Sequence, residues 1–189
     1  MQQNQPQIQT YVSKEYNRRN AQEYALEWAL DRNPLFYDYT NTGGDCTNFV
    51  SQCLYAGSCE MNHTPVFGWY YIDSANRSAS WTGVEFLYNF LTQNTGAGPY
   101  GSLISRGRLE LGDIIQLGNR NGMFYHTLVV TGFTPRTYLV SAHSNNVRNR
   151  PLNTYRFHRT RFIHIQGVRV EMNGGNDCFP DLINGTSLH

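Results

Sequence analysis

The period of the hydrophobic pattern changes once along this chain, near Gly112, and that change limits the architectures open to it. The pattern turns helical from Ser13, and Ala21, Tyr24, Ala25, Trp28 and Ala29 recur at i, i+3, i+4, i+7 and i+8 before Asn33-Pro34 closes the element. A second helix is expected from Cys46 to Ala56, with Asp45 as N-cap, Gly57 as its stop, and Phe49, Val50, Cys53 and Leu54 on its apolar face. A third, over about 82–94, carries Val84, Leu87, Tyr88 and Leu91. Beyond the Gly112 turn, the runs 113–117, 125–131, 137–143 and 162–170 read as strands. Helices first and hairpin-linked strands second predict an α+β fold, with N-terminal helices packed on a C-terminal antiparallel sheet.

The 189 residues suit one domain with a substantial core. Residues 1–12 are polar and Gln-rich and read as a flexible segment; 13–170 read as the folded domain, and the Gly/Asn/Ser-rich 171–189 as a loose tail. The aromatic content of 14% and the absence of charge runs argue against disorder. With 15 Lys+Arg against 14 Asp+Glu, there is no global attraction to nucleic acid, and no window of 18 apolar residues is available to span a membrane. Among the cations Lys14 is the only lysine; the other 14 are arginines.

The four cysteines, Cys46, Cys53, Cys59 and Cys178, are too few for a disulfide scaffold and form no CxxC pair, so at least one is expected to be a free thiol. Cys46 stands out. It follows Gly43-Gly44-Asp45 at the first position of a helix, where unsatisfied N–H groups and the helix dipole favour a thiolate and could receive an oxyanion. The paired glycines leave room for a substrate backbone. Cys53, on the apolar face, reads as core.

A nucleophilic cysteine needs a base, normally a histidine held by a third polar group. His63, His158 and His189 fall in loops or at the terminus, and His164 has no polar neighbour in its strand to recruit it. His126 opens one strand and His143 closes the next. A turn about Thr134-Pro135 pairs residues whose numbers sum to 269, which sets His143 opposite His126; a turn about Pro135-Arg136 gives 271 and sets Asn145 there instead. Either register leaves the base with an orienting partner.

These residues have a likeness. Tyr16-Asn17-Arg18, Tyr24-Ala25, Trp28-Ala29, Asn33-Pro34 and above all the run from Gly43-Gly44-Asp45-Cys46-Thr47-Asn48-Phe49-Val50-Ser51-Gln52 to Cys53-Leu54 resemble the amidase-domain family of Gram-positive bacterial proteins. The resemblance extends through Gly112-Asp113, His126-Thr127-Leu128-Val129 and Ala142-His143-Ser144-Asn145, covering about residues 13–170. That family is similar to the NlpC-type and CHAP cell-wall hydrolases, compact papain-like folds in which a helix-borne cysteine meets a sheet-borne histidine. The resemblance implies hydrolysis of amide or peptide bonds through a thioester, in peptidoglycan-type peptides, with Cys46 as nucleophile, His126 as base and His143 as orienter. A monomer is expected, with no cofactor, nucleic acid or membrane partner. The first residues have neither the basic n-region nor the apolar h-region of a secretory signal, so the chain is expected to be cytoplasmic, spore-associated or a truncated secreted protein.

Three other readings compete. The domain could be an inert peptide- or wall-binding module that kept the fold; Cys46, His126 and His143 could hold zinc; or Arg148, Arg150, Arg156, Arg159 and Arg161 could bind RNA, although the aromatic stacking motifs of RNA modules are missing. In the amidase reading, Arg148 and Arg150 are expected to recognise substrate carboxylates, a task for which arginine's planar fork is better suited than lysine.

Overall fold

The computed structural model describes residues 11–172 and 177–188. Helix α1 spans Arg18–Trp28, its start fixed by Asn17, whose side chain accepts the Asn20 N–H at 3.0 Å. Ala21, Tyr24 and Ala25 face inward, as the stripe requires. The segment just before it, Tyr11–Lys14, is not helical but forms strand β1, so the N-terminal segment is structured from Tyr11 on; residues 1–10 lie outside the described residues.

Helix α2 spans Cys46–Ser58, and its residues from Cys46 to Gly57 are all buried. It is a core helix rather than a surface one. Gly57 lies inside it and does not end it: a Cβ there would come within 2.3 Å of Tyr16 Cε2, so glycine serves the close approach of the Tyr16 ring. The stop falls at Cys59, which is left-handed (φ 47°) and donates its N–H to the Tyr55 carbonyl. The third predicted helix is two, α3 (Ala79–Thr82) and α4 (Val84–Gln93), broken at the extended Gly83.

The remaining strands are β2 (Gly98–Leu103), β3 (Ile114–Gly118), β4 (Phe124–Phe133), β5 (Tyr138–Ala142), β6 (Val147–Pro151) and β7 (Arg159–Glu171), all paired antiparallel. β7 is central. β3 pairs with its first half and β1 with its end, while β2 takes the opposite edge. From β3 the sheet runs outward through β4 and β5 to β6. The protein is therefore α+β, as its sequence predicts.

Strand alternation splits the core in two. Ile114, Val129, Ile163, Ile165, Val168 and Val170 face the helices, where they join Phe49, Val50, Trp69 and Trp81. Ile115, Leu117, Leu128, Val130, Val140 and Ala142 face the other way, under Leu152, Tyr155 and Phe157 of the chain between β6 and β7.

The expected loose tail is a docked one over 177–188. Helix α5 (Phe179–Ile183) buries Leu182; Trp28 Nε1 donates to Ile183 O at 3.0 Å and Asn33 Nδ2 to Leu182 O at 2.8 Å. Cys59 and Cys178, which have no sequence context, form a disulfide that fastens the end of α2 to the start of α5 across 119 residues. Closing so long a loop in the unfolded chain is worth roughly 4–5 kcal/mol in the chain-entropy account. Cys46 and Cys53 are the free thiols.

Candidate active site

Cys46 sits at the first position of α2 and is 8% exposed. Gly43 and Gly44, ahead of it, have φ of 98° and 103°, a conformation that favours glycine, and the space beside Gly43 is open. The Cys46 Sγ lies 3.9 Å from Thr47 Oγ1, Thr47 in turn meets Thr127 Oγ1 of β4 at 2.9 Å, and the Thr127 backbone is near enough to act on the thiol. The start of α2 is thus pinned to the stretch of β4 that follows His126. Burial, and more weakly the neighbouring Asp45, raises the thiol pKa above its ordinary value, while the Thr127 backbone and Thr47 oppose the rise. The helix start does not by itself make this a thiolate.

His126 lies one residue before Thr127 and so on the opposite face of β4. Its ring is 6.1 Å from that of Tyr155. Burial first, and the Arg150 cation second, push its pKa down to about 4, so the ring is neutral near pH 7. No hydrogen bond holds this ring within the described residues.

His143 is placed otherwise than the sequence suggests. Its Nδ1 donates to Asp45 Oδ2 at 2.6 Å, its Nε2 to the Trp28 carbonyl at 2.9 Å, and its ring stacks on Phe49 at 4.0 Å between centroids. Both ring nitrogens are therefore engaged by protein partners. No nitrogen is left for His126, and the expected pairing is not made.

The cause is a one-residue bulge. The hairpin turns about Pro135-Arg136, with Thr134 N–H donating to Thr137 O and Phe133 opposite Tyr138, the register that sums to 271. Between Val130 and Gly132 the register shifts by one, so that Val129 faces Ser141 and the sum becomes 270. A slip of one residue exchanges the faces. His143 therefore joins Thr127 on the helix side, while Asn145 is exposed on the turn after β5 beside Asn146 and Asp38. A zinc site of Cys46, His126 and His143 fails on the same facts, because both His143 nitrogens are engaged away from His126.

Asp45 does more than the sequence shows. It is the N-cap residue of α2, but its carboxylate makes no cap bond to its own helix. It accepts instead from Tyr39 N–H (3.0 Å), Asn48 Nδ2 (2.8 Å) and His143, with Arg32 Nε at 3.3 Å. Its own N–H donates to Ser144 Oγ at 3.2 Å. Three separate segments, at Arg32, Tyr39 and His143-Ser144, therefore converge on the residue before Cys46. Arg32 and Asp45 are too far apart in sequence for local spacing to link them. His164, too, finds a polar neighbour: its Nδ1 donates to Asp113 Oδ2 at 2.8 Å, from β3's approach rather than from its own strand.

A family model described as "Putative amidase domain" matches residues 15–166. An uncharacterized protein of Bacillus subtilis, YhbB, is 33% identical over 119 residues, which are 61% of this chain; the aligned part spans 37% of that relative's length. No solved structure matches. The family match takes in α1, α2, every strand from β2 to β6 and most of β7, along with Cys46, His126 and His143, and on that extent the chain belongs to this amidase-domain family.

Proposed function

We propose that the protein is a cysteine-dependent amidase or peptidase, related to the NlpC-type and CHAP hydrolases, in which Cys46 is the nucleophile and His126 the base. The observation that carries this reading is the bond between Thr47 Oγ1 and Thr127 Oγ1 at 2.9 Å, which brings the start of α2, with Cys46, to the residue beside His126. A family associated with amide hydrolysis supplies the reaction class.

The resting pair is a neutral thiol and a neutral imidazole, since burial raises the one pKa and lowers the other. Because His126 leaves β4 on the face opposite Thr127, the proposed proton transfer requires its ring to reach Sγ around the open start of β4, directly or through a water, when substrate arrives. His126 takes the proton as Sγ adds to the amide carbonyl; the first-turn N–H groups of α2, which have no intrahelical acceptor, stabilise the oxyanion. His126 then delivers the proton to the leaving amine as the C–N bond breaks, leaving a Cys46 thioester. Water attacks the thioester with His126 as base, releasing the acid and restoring the thiol. His143 acts on the other partner: through Asp45 and the Trp28 carbonyl it fixes the position from which α2 presents Cys46.

Stem peptides of the peptidoglycan type are the substrate class we assign. The test is incubation of the full chain with muropeptides of varied composition, with products read by mass spectrometry beside Cys46→Ala and His126→Ala. Cleavage of an amide bond by the native chain and by neither variant supports the reading. Cleavage that survives Cys46→Ala, or none with any muropeptide, sinks it.

A further inference from the structure

We infer that Arg150 and Tyr155 form a receptor for a carboxylate of the substrate, on the His126 side of the site; this rests on His126 belonging to the proposed reactive centre.

Arg150 stands on β6, at the edge of the sheet, with its guanidinium 4.1 Å above the Tyr155 ring. One edge of the planar group is committed: Nε donates to Thr154 Oγ1 at 2.8 Å and Nη2 to the Thr154 carbonyl at 3.1 Å. These partners are neutral. They fix the plane and leave the end-on pair of N–H groups, one on each Nη, without an acceptor among the described residues. No carboxylate pairs with Arg150 there, in contrast to Arg161, which is neutralised by Glu85, and Arg18, which is neutralised by Asp113 and Glu110. An end-on pair of parallel N–H groups matches the two oxygens of a carboxylate.

Beside it, the Tyr155 hydroxyl is buried next to Arg150 and finds no acceptor among the described residues. A buried hydroxyl without an acceptor is costly unless a ligand completes it. Burial raises this phenol's pKa and Arg150 pulls it back, so the group is a donor at neutral pH. The ring that carries it is the one that faces His126. An unpaired cation with a free fork and an unpaired donor thus flank the base. Arg150 also helps to lower the basicity of His126, so a carboxylate arriving there would restore some of it. Arg148, the other arginine singled out in the sequence, lies on an exposed stretch of β6 and shares none of these contacts.

The probes are N-acetylglycine and its uncharged counterpart N-acetylglycinamide, titrated into the full chain while the ring signals of His126 and Tyr155 are followed by NMR. The acid should shift both signals saturably and bind at least tenfold more tightly than the amide. Arg150→Gln should remove at least tenfold of the acid's affinity, Arg150→Lys part of it, and Tyr155→Phe a few-fold, with the amide unaffected in all three. Equal affinity for acid and amide, or unchanged acid binding in a folded Arg150→Gln protein, overturns the inference. The titration needs no turnover, so an unreactive Cys46 would defeat the amidase reading separately and visibly.

Discussion

Two histidines leave the same hairpin for opposite faces of the sheet, and they meet opposite environments. His143 is wholly buried, with a carboxylate on one nitrogen, a carbonyl on the other and Phe49 against its ring. His126 is only partly buried, stands near Tyr155 and Arg150, and holds no hydrogen bond within the described residues. A ring with every polar atom committed is a structural strut. A ring without a hydrogen bond among the described residues, next to the strand residue that meets the first turn of α2, is the one to which the proposed reaction assigns proton transfer. The lesson is that pairing, more than burial, separates a histidine that holds the site from one that can work in it.

Substitution should divide the two sharply. Cys46→Ala and His126→Ala are expected to lower kcat/KM by roughly a thousandfold or more, with chemical denaturation showing a fold as stable as the native one. His143→Ala should behave in reverse order of cause: it removes the 2.6 Å partner of the buried Asp45 carboxylate, leaving Tyr39, Asn48 and Arg32, and should cost about 3 kcal/mol in urea unfolding, with activity lost only as the start of α2 loosens. If His143→Ala instead removed activity and left stability untouched, the division between the two histidines would be wrong.

Acid gives a second way to separate them. His126 has a folded pKa of about 4 against an ordinary value of 6.5, so protons bind the unfolded chain better. Its contribution is nil above pH 6.5. Stability is lost as pH falls from 6.5 toward 4, reaching about 3 kcal/mol below that. Urea unfolding at pH 7 and pH 4 should therefore show a pH-dependent loss that His126→Gln reduces by about that amount. The acid limb of kcat/KM should likewise lie near pH 4 rather than 6.5, because the base stays neutral until then.

The smallest expected effect on activity concerns the support behind His143. The Cys59–Cys178 disulfide holds α5, and α5 receives hydrogen bonds from Trp28 and Asn33, at the turn whose Trp28 carbonyl holds His143. Replacing both cysteines with serine should lower stability, measured through the unfolding midpoint, by up to the roughly 4–5 kcal/mol of the loop closure, yet change activity least of all the substitutions, with the proposed Cys46 chemistry persisting at low temperature.

What could be read in the sequence follows from what is local. The 3.6-residue stripe gives α1 and α2, alternation gives β3, β4, β5 and β7, and the glycines before Cys46 mark the helix start. The hairpin register could not be read, since a single bulge decides it. Gly132, a glycine within an apolar strand, is the one local sign of that bulge. β1, β6 and α5 were hidden for a related reason. They are short or polar, and their place is set by partners far along the chain: Glu171 and Val170 for β1, Val140 and Ala142 for β6, and Cys59 for the segment that opens α5. Asp45 shows the same limit at the site. Its role as N-cap residue is local and legible, whereas its bonds to Tyr39, His143 and Arg32 depend on how distant segments meet.

The central claim is that Cys46 forms a covalent bond with the substrate and that His126 drives its formation. Acid-quenched intact-mass spectrometry of the full chain, mixed for milliseconds to seconds with a cleavable muropeptide, tests it most directly. An acyl adduct localised to Cys46 should accumulate before product, be missing in Cys46→Ala and form at least a hundredfold more slowly in His126→Ala. Product released at the native rate with no adduct on Cys46 in native protein, and still released by Cys46→Ala, would contradict it.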